Sequence, residues 1–332
     1  MIRIGINGFG RIGRNVLRAI YESGYRDMMQ VVAINDLAER ETCAHLLEFD
    51  SLHGRFNQPV KLSGDLLEVG SDAITLLQHK EPLELPWAVA EVDLVMECTG
   101  RFNSKEKAQA HIAAGAKKVL VSAPCKNADA TVVYGVNEHV IESGHQVISN
   151  ASCTTNCLAP VAKVIHENFG IEGGVMTTIH SYTNDQNLLD LAHPKDLCRA
   201  RAAAMSMIPT KTGAAQAIGM VLPGLEGRLS GMSVRVPTPN VSLVDLSAQV
   251  TRETTREEIN EVMRLASLDM HVLEYNDRPL VSCDFNHNPA SAIFDANHTQ
   301  AHGHMIKVLA WYDNEWGFSN RMLDTALTMM SA

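Results

Sequence analysis

The 332-residue chain has no apolar run approaching the roughly 20 residues that a membrane-spanning helix needs. It also lacks basic charge: 28 lysines and arginines against 38 acidic residues leave a formal charge of -10, which gives no electrostatic footprint for nucleic acid or an anionic bilayer. The N-terminus has no basic stretch ahead of an apolar one and opens on Ile2, Ile4 and Ile6. A soluble cytoplasmic protein that binds neither nucleic acid nor membrane is the expectation. No CxxC pair is found, so no metal site is expected. The seven cysteines are an odd number in a chain without an export signal, which argues against a disulfide framework. Internal repeats and low-complexity linkers are missing too.

What is present is a core-forming sequence, 45% apolar and 20% charged, long enough for one to three domains. The first 150 residues alternate β-branched runs (3–7, 31–35, 93–98, 117–122, 131–136, 146–149) with amphipathic helical patterns, among them 104–115, which opens on Ser104 as an N-cap and ends on Gly115. Such alternation predicts a parallel sheet covered on both sides. A long helix over 154–168 and a strand over 175–180 follow, then an irregular stretch over 181–201. Strand patterns at 231–236 and 241–251 lead to a helix that starts at the capping box of Thr255 and Glu258. A last strand at 305–311 precedes a terminal helix. Strands and helices without strict alternation predict an α+β second domain.

Residues 7–13, Asn-Gly-Phe-Gly-Arg-Ile-Gly, form GxGxxG straight after a strand and at the start of a helix. Gly8 allows the tight turn, Gly10 lets backbone approach a pyrophosphate, and Gly13 lets helix pack on strand. Asp36 ends the next strand, where a carboxylate accepts from a ribose 2′-hydroxyl and repels a 2′-phosphate. This favours NAD over NADP. Further along, residues 149–157 join a strand to a helix and place Cys153 at the helix N-terminus. Free backbone N–H groups there stabilise a thiolate and a developing oxyanion. Cys157, one turn on, reads as structural. His180 ends a strand where a polar loop begins; on spacing alone it reads as a satisfied structural histidine rather than a base.

Several segments carry more. Ala-Ser-Cys-Thr-Thr-Asn-Cys at 151–157, His-Ser-Tyr-Thr at 180–183, Thr-Gly-Ala-Ala at 212–215, Arg-Val-Pro-Thr-Pro-Asn at 235–240 and Trp-Tyr-Asp-Asn-Glu-Trp-Gly-Phe-Ser-Asn at 311–320 resemble the phosphorylating glyceraldehyde-3-phosphate dehydrogenase family, in order along the chain. The resemblance implies a Rossmann-type parallel-sheet NAD-binding domain at 1–151, completed by the C-terminal helix 317–332. It implies an α+β catalytic domain at 152–316 whose sheet is mainly antiparallel. Cys153 matches the nucleophile and His180 its base, initially an ion pair. Asn7, Gly8, Gly10, Arg11, Ile12, Gly13, Asp36, Ser122 and Asn314 match cofactor contacts. Ser152, Thr154, Thr212 and Gly213 match the inorganic-phosphate pocket, Thr183 and Arg235 the substrate-phosphate groups, and Arg199 a loop arginine near the substrate. NAD, a sugar phosphate and inorganic phosphate are the implied ligands, and a homotetramer the implied assembly.

The sequence also departs from the family. Stretches at 34–39, 110–120, 129–137 and 284–287 look more like the sister erythrose-4-phosphate dehydrogenase, which stands as the alternative. Asp185 stands where many members have threonine, and a carboxylate there repels phosphate unless a cation such as Arg199 or Arg235 pairs with it. Leu-Ala-His-Pro at 191–194 replaces a Leu-Pro pair that marks strict NAD use, so NADP stays open. A cysteine hydrolase or a non-catalytic nucleotide-binding module are remoter alternatives, neither of which needs both the glycine turn and Cys153.

Overall fold

The computed structural model describes all residues from Met1 to Ala332, and the chain divides into two units. Unit 1 comprises Met1–Val132, Glu138–Ser152 and Ser319–Ala332. Its sheet has nine strands in the order Ala130–Thr131, Val147–Ser149, Lys118–Val121, Leu94–Glu97, Ile2–Asn7, Met29–Asn35, Asp72–Leu77, Leu66–Val69, Val60–Ser63. Pairing is parallel as far as Asp72–Leu77, and the last two strands add an antiparallel edge, a meander the sequence patterns do not announce. Strand Ile2–Asn7 lies between Met29–Asn35 and Leu94–Glu97, so the chain order reverses at its carboxyl end. In doubly wound sheets that crevice takes the ligand. The pattern at 131–136 yields only the two-residue strand Ala130–Thr131. Beyond it Val133–Asn137 belongs to unit 2, where Gly135, at φ +83, packs on Val272 and Tyr134 stacks edge-on against His271.

Unit 2 comprises Val133–Asn137 and Cys153–Phe318. Its sheet runs Ile208–Lys211, Leu229–Val236, Ile171–Ser181, Ser242–Val250, Met305–Tyr312, Ala292–Asp295, Leu273–Asn276, with Gln300–His302 on the side of Met305–Tyr312. Two pairings are parallel and the others antiparallel. Helix Cys153–Phe169 lies on this sheet and packs against Ala214–Val221 and Arg256–Asp269. The capping box forms: Thr255 Oγ1 accepts from the Glu258 N–H at 3.2 Å and Glu258 Oε2 accepts from the Thr255 N–H at 3.0 Å. The terminal helix Trp316–Ser331 starts in unit 2 and continues into unit 1. Within unit 1 it is fixed by Thr325, which donates to Asn150 Oδ1 at 2.8 Å, and by Lys118, which donates to the Met329 carbonyl at 2.6 Å. No helix is long and apolar enough to cross a membrane.

Under the glycine turn lies a buried polar network that sequence patterns do not show. Glu97, 1% exposed, accepts from Asn7 Nδ2 at 2.6 Å, His111 Nε2 at 2.9 Å, and both the N–H (2.8 Å) and the hydroxyl of Thr99. Trp87 Nε1 donates to His111 Nδ1 at 3.0 Å, which fixes the proton of this imidazole on Nε2, toward the carboxylate. A buried charge needs such a set of donors. Glu97→Gln puts an amide N–H among these donors. The expected result is a loss of roughly 3 kcal/mol and a Tm lower by roughly 6–12 °C, with weaker NAD binding because Asn7 loses its anchor. Calorimetry and NAD titration check both.

Candidate active site

A cleft of about 650 Å³ opens in unit 1 at the strand-order reversal, lined among others by Gly8, Gly10, Asn35, Asp36, His79 and Thr99. That volume suits a nucleotide-sized ligand. Gly8, at φ +93, has Thr99 N only 2.7 Å from where a Cβ would stand, and a Cβ on Gly13 would meet the Gly8 carbonyl oxygen at 2.1 Å. Both positions admit glycine alone, one for the turn and one for close packing of helix on strand. Gly10 differs: its Cβ would stand in open space, and no side chain caps helix Arg11–Glu22 behind it. An uncapped helix N-terminus with open space ahead of it fits the pyrophosphate of a dinucleotide.

Asp36 combines two roles. Its Oδ2 accepts from the Phe9 N–H at 2.6 Å and its Oδ1 from the Ala38 N–H at 2.9 Å, which ties the glycine turn to the strand end. A carboxylate has about four acceptor sites, so two remain for a ribose. Asn7 lines the cleft, but its side chain is spent inside on Glu97 and Asn35. Arg11 likewise spends its guanidinium on Asp50, whose carboxyl it holds well below the usual range. Both side chains thus help to hold the glycine turn in place. Arg11, Ile12, Gly13 and Ser122 are not among the cleft's lining residues. Ser122 follows strand Lys118–Val121, and its N–H donates to the Glu97 carbonyl at 3.0 Å.

In unit 2, Cys153 is the first residue of its helix and is half-buried. The preceding Ala151 takes φ +57, a left-handed conformation costing a non-glycine residue about 1 kcal/mol, and so turns the chain sharply from strand into helix. Cys153 Sγ lies 3.6 Å from His180 Nε2. The His180 ring is buried, edge-on to Tyr312 with centroids 5.9 Å apart. The Tyr312 hydroxyl meets Thr154 Oγ1 at 2.9 Å and Thr178 Oγ1 at 2.8 Å, which ties the helix start to the buried tyrosine. Cys157 is buried, its thiol directed at the Ala310 carbonyl at 3.7 Å.

Burial and the Arg235 cation act on both groups of the pair. Burial pushes the Cys153 thiol up, against the pull of the Arg235 cation and the Thr154 hydrogen bonds. Burial and then Arg235 push His180 down to about 3. Both shifts favour the neutral forms, because an imidazolium would stand beside a guanidinium.

Arg235 reaches His180 by register: the two are partners on the parallel strands Leu229–Val236 and Ile171–Ser181. Its Nη1 lies 2.7 Å from His180 Nδ1 and 2.9 Å from the Ser181 carbonyl oxygen. Asn314 Oδ1 accepts from the hydroxyls of Ser181 at 2.7 Å and Ser242 at 2.9 Å, which leaves its Nδ2 to donate elsewhere. Val241, at φ +67, is a strained β-branched residue that holds this corner. Asp313, next to Asn314, accepts from Asn240 Nδ2 and from the N–H groups of His287, Glu315 and Trp316, and so locks the loop that presents Asn314.

Arg199 binds Asp185, donates Nε to Thr210 Oγ1 at 2.9 Å and Nη2 to the Lys211 carbonyl at 3.3 Å. The acidic departure at 185 is thus compensated by a cation, as its repulsion for phosphate required. Thr183 begins a turn in which its carbonyl accepts from the Gln186 N–H at 2.9 Å. Thr212 and Gly213 stand at the start of helix Ala214–Val221, where Thr212 Oγ1 accepts from the Ala214 N–H at 3.2 Å and the space off Gly213 is open. Ser181, Tyr312 and Asp313 lie inside the segments at 180–183 and 311–320, which give them no role of their own, and Ser242 lies outside every such segment; the fold brings all four to the site.

Residues 2–105 match the NAD binding domain of glyceraldehyde 3-phosphate dehydrogenase, and residues 152–314 match its C-terminal domain. The chain is 60% identical to the glyceraldehyde-3-phosphate dehydrogenase of Pseudomonas aeruginosa, over 100% of this chain and 99% of that one. It is 59% identical to a plasmid-borne enzyme of the same name from Cupriavidus necator, over 100% and 99% of the two chains. It is 52% identical to that of Geobacillus stearothermophilus, over 99% and 98%. The erythrose-phosphate alternative finds no support among these relatives. With a nucleotide cleft behind GxGxxG in one unit and a Cys–His pair in the other, the chain belongs to the glyceraldehyde-3-phosphate dehydrogenase family.

Proposed function

We propose that this chain oxidises glyceraldehyde 3-phosphate with NAD and inorganic phosphate to 1,3-bisphosphoglycerate. The observation that carries this reading is Cys153 Sγ at a helix N-terminus, 3.6 Å from His180 Nε2, in a chain of this family. Bound NAD, held by the cleft of Gly8, Gly10 and Asp36, supplies the hydride acceptor. Sγ adds to the aldehyde carbon while the thiol proton passes to His180 Nε2. The Cys153 N–H and the imidazolium face the adduct's oxygen. Oxidation of the adduct leaves a thioester on Cys153. Phosphate then attacks the thioester carbonyl and releases its own proton to solvent. Sγ departs and takes its proton back from His180. Thr183, Arg199 and Arg235 are assigned to the substrate phosphate, and Ser152, Thr154, Thr212 and Gly213 to inorganic phosphate. Asn314 is assigned to the nicotinamide carboxamide.

A homotetramer is the proposed assembly. Leu188, Leu189, Leu191, Leu197 and Met205 all stand at least 67% exposed on the 181–207 stretch, an apolar surface that another copy of the chain would bury.

Steady-state kcat/KM with glyceraldehyde 3-phosphate and erythrose 4-phosphate, each with NAD and NADP and with or without phosphate, tests the reading. Phosphate-independent oxidation favouring the four-carbon sugar overturns it. In the same assay Asp36→Asn, which removes the repulsion for a 2′-phosphate, is expected to lower the preference for NAD over NADP on the order of tenfold, the weight of one charge-assisted hydrogen bond.

A further inference from the structure

Glu97 is a buried charge without a cation. Its side chain and that of His111 are wholly out of solvent, and every group that meets the carboxylate donates to it: Asn7 Nδ2, His111 Nε2, and the N–H and hydroxyl of Thr99. The Thr99 oxygen itself accepts from the Arg101 N–H at 3.1 Å, so the hydroxyl hydrogen is free to point at Glu97. Trp87 donates to His111 Nδ1, so this imidazole carries a single proton, on Nε2, and is uncharged. A carboxylate met by donors alone holds no proton of its own, and no lysine or arginine is among its partners. Buried charges are as a rule paired. Neutral donors disperse this one but leave a full negative charge in a dry place.

That charge stands on the side of the cleft where the cofactor changes charge. Asp36 follows strand Met29–Asn35 and marks the adenosine end, and the glycine turn after Ile2–Asn7 takes the pyrophosphate. The strand order reverses at Ile2–Asn7, so the nicotinamide half belongs over its other neighbour, Leu94–Glu97, of which Glu97 is the last residue. Cys98 and Thr99 come next and line the cleft. The charge is felt there: burial and then Glu97 push the Cys98 thiol up to about 12. The nicotinamide ring is a cation in NAD and neutral in NADH, because the hydride brings one proton and two electrons.

We infer that the Glu97 carboxylate is a specificity-determining group that selects the oxidised cofactor over the reduced one, the ring cation being the counter-ion it lacks. Unit charges about 10 Å apart, at an effective dielectric of about 20, attract enough for a preference on the order of tenfold. When hydride reaches the ring its positive charge disappears, the attraction goes with it, and NADH leaves more readily. Bound NAD becomes a weaker oxidant by the same factor, since a group that holds only the oxidised form opposes its reduction. The inference rests on NAD in this cleft and not on which aldehyde is oxidised.

Titration calorimetry without aldehyde tests it, with NAD, NADH and ADP-ribose as the three ligands. ADP-ribose has both riboses and the pyrophosphate but no nicotinamide ring, so it reports the state of the rest of the cleft. The wild type is expected to bind NAD on the order of tenfold more tightly than NADH, and NADH binding as tightly as NAD overturns the inference. In Glu97→Gln, NAD is expected to weaken on the order of tenfold relative to ADP-ribose, while NADH keeps its ratio to ADP-ribose. Damage to the glycine turn weakens all three ligands alike, and Asn7→Ser, which removes an anchor and keeps the charge, is expected to do only that. A ratio of NAD to NADH affinity unchanged in Glu97→Gln, or changed as much by Asn7→Ser, overturns the inference. Should Glu97→Gln fail to fold, the wild-type ratio decides. Failure to oxidise a triose would overturn the proposed reaction and leave these affinities to decide the selection.

Discussion

Cys153→Ser is expected to reduce NADH formation from glyceraldehyde 3-phosphate by on the order of 10⁴-fold or more, down to background, while NAD binding is retained. The substitution changes one atom at the first turn of helix Cys153–Phe169 and leaves its backbone N–H groups in place, so the oxyanion donors survive. What disappears is a nucleophile whose proton a neighbouring imidazole at 3.6 Å can remove. A serine hydroxyl holds its proton far more tightly than a thiol does, and neutral His180 is too weak a base to take it. The cofactor cleft lies in unit 1, and its lining does not include Cys153, so NAD titration should be unaffected. Cys157→Ala is the matched control. Its thiol is buried against the Ala310 carbonyl, so the change is expected to cost about 1–2 kcal/mol of stability and little activity. Wild-type turnover in Cys153→Ser, or loss of turnover in Cys157→Ala with its stability intact, would falsify the assignment of the nucleophile.

The two halves of the site differ in how far a reader of the sequence can reach them. The glycine turn, Asp36 and the helix-start cysteine are local features. Each depends on residues within a few positions of one another, and each lies where the strand and helix patterns place it. The surroundings that tune them are set by distance in the chain. Tyr312 stands 158 residues from Thr154, and Ser181 stands 133 from Asn314. Those meetings depend on which strands pair and in what register, and a one-residue slip would turn each side chain to the other face. The same holds for His180 and Arg235, 55 residues apart and partners only because two parallel strands align them. Spacing therefore gives His180 no distinction, and the neutral state of the pair is invisible without the cation beside it. Asn7 and Arg11 carry a second role that no spacing shows. Their place in the motif suggests contact with a ligand, yet Glu97 and Asp50 already claim their side chains.

His180→Asn is expected to cost roughly 10²–10⁴-fold in kcat/KM at pH 7, the usual size of a general-base contribution. The pH dependence makes the test sharper than the magnitude. Burial and Arg235 push His180 down to about 3, so in the free wild-type enzyme it stays neutral across the working range, and kcat/KM should show no inflection near the ordinary imidazole value of 6.5. The Cys153 thiol is pushed up, and in the wild type its proton goes directly to the base. In His180→Asn that proton must go to solvent, so the rate follows the thiolate fraction and rises about tenfold per pH unit until the thiol is ionised. Stability moves in a coupled way. The unfolded chain binds a proton at His180 near pH 6.5 and the folded chain only near 3, so the histidine destabilises the wild type progressively as pH falls through that window. His180→Asn lacks that loss and should be the less acid-sensitive of the two in denaturation between pH 6 and 4. Steady-state profiles from pH 6 to 9.5 and urea midpoints at acid pH check the two effects separately. A wild-type inflection at 6.5 would show the imidazole to be ordinary, and equal acid sensitivity of the two proteins would show that burial does not hold it neutral.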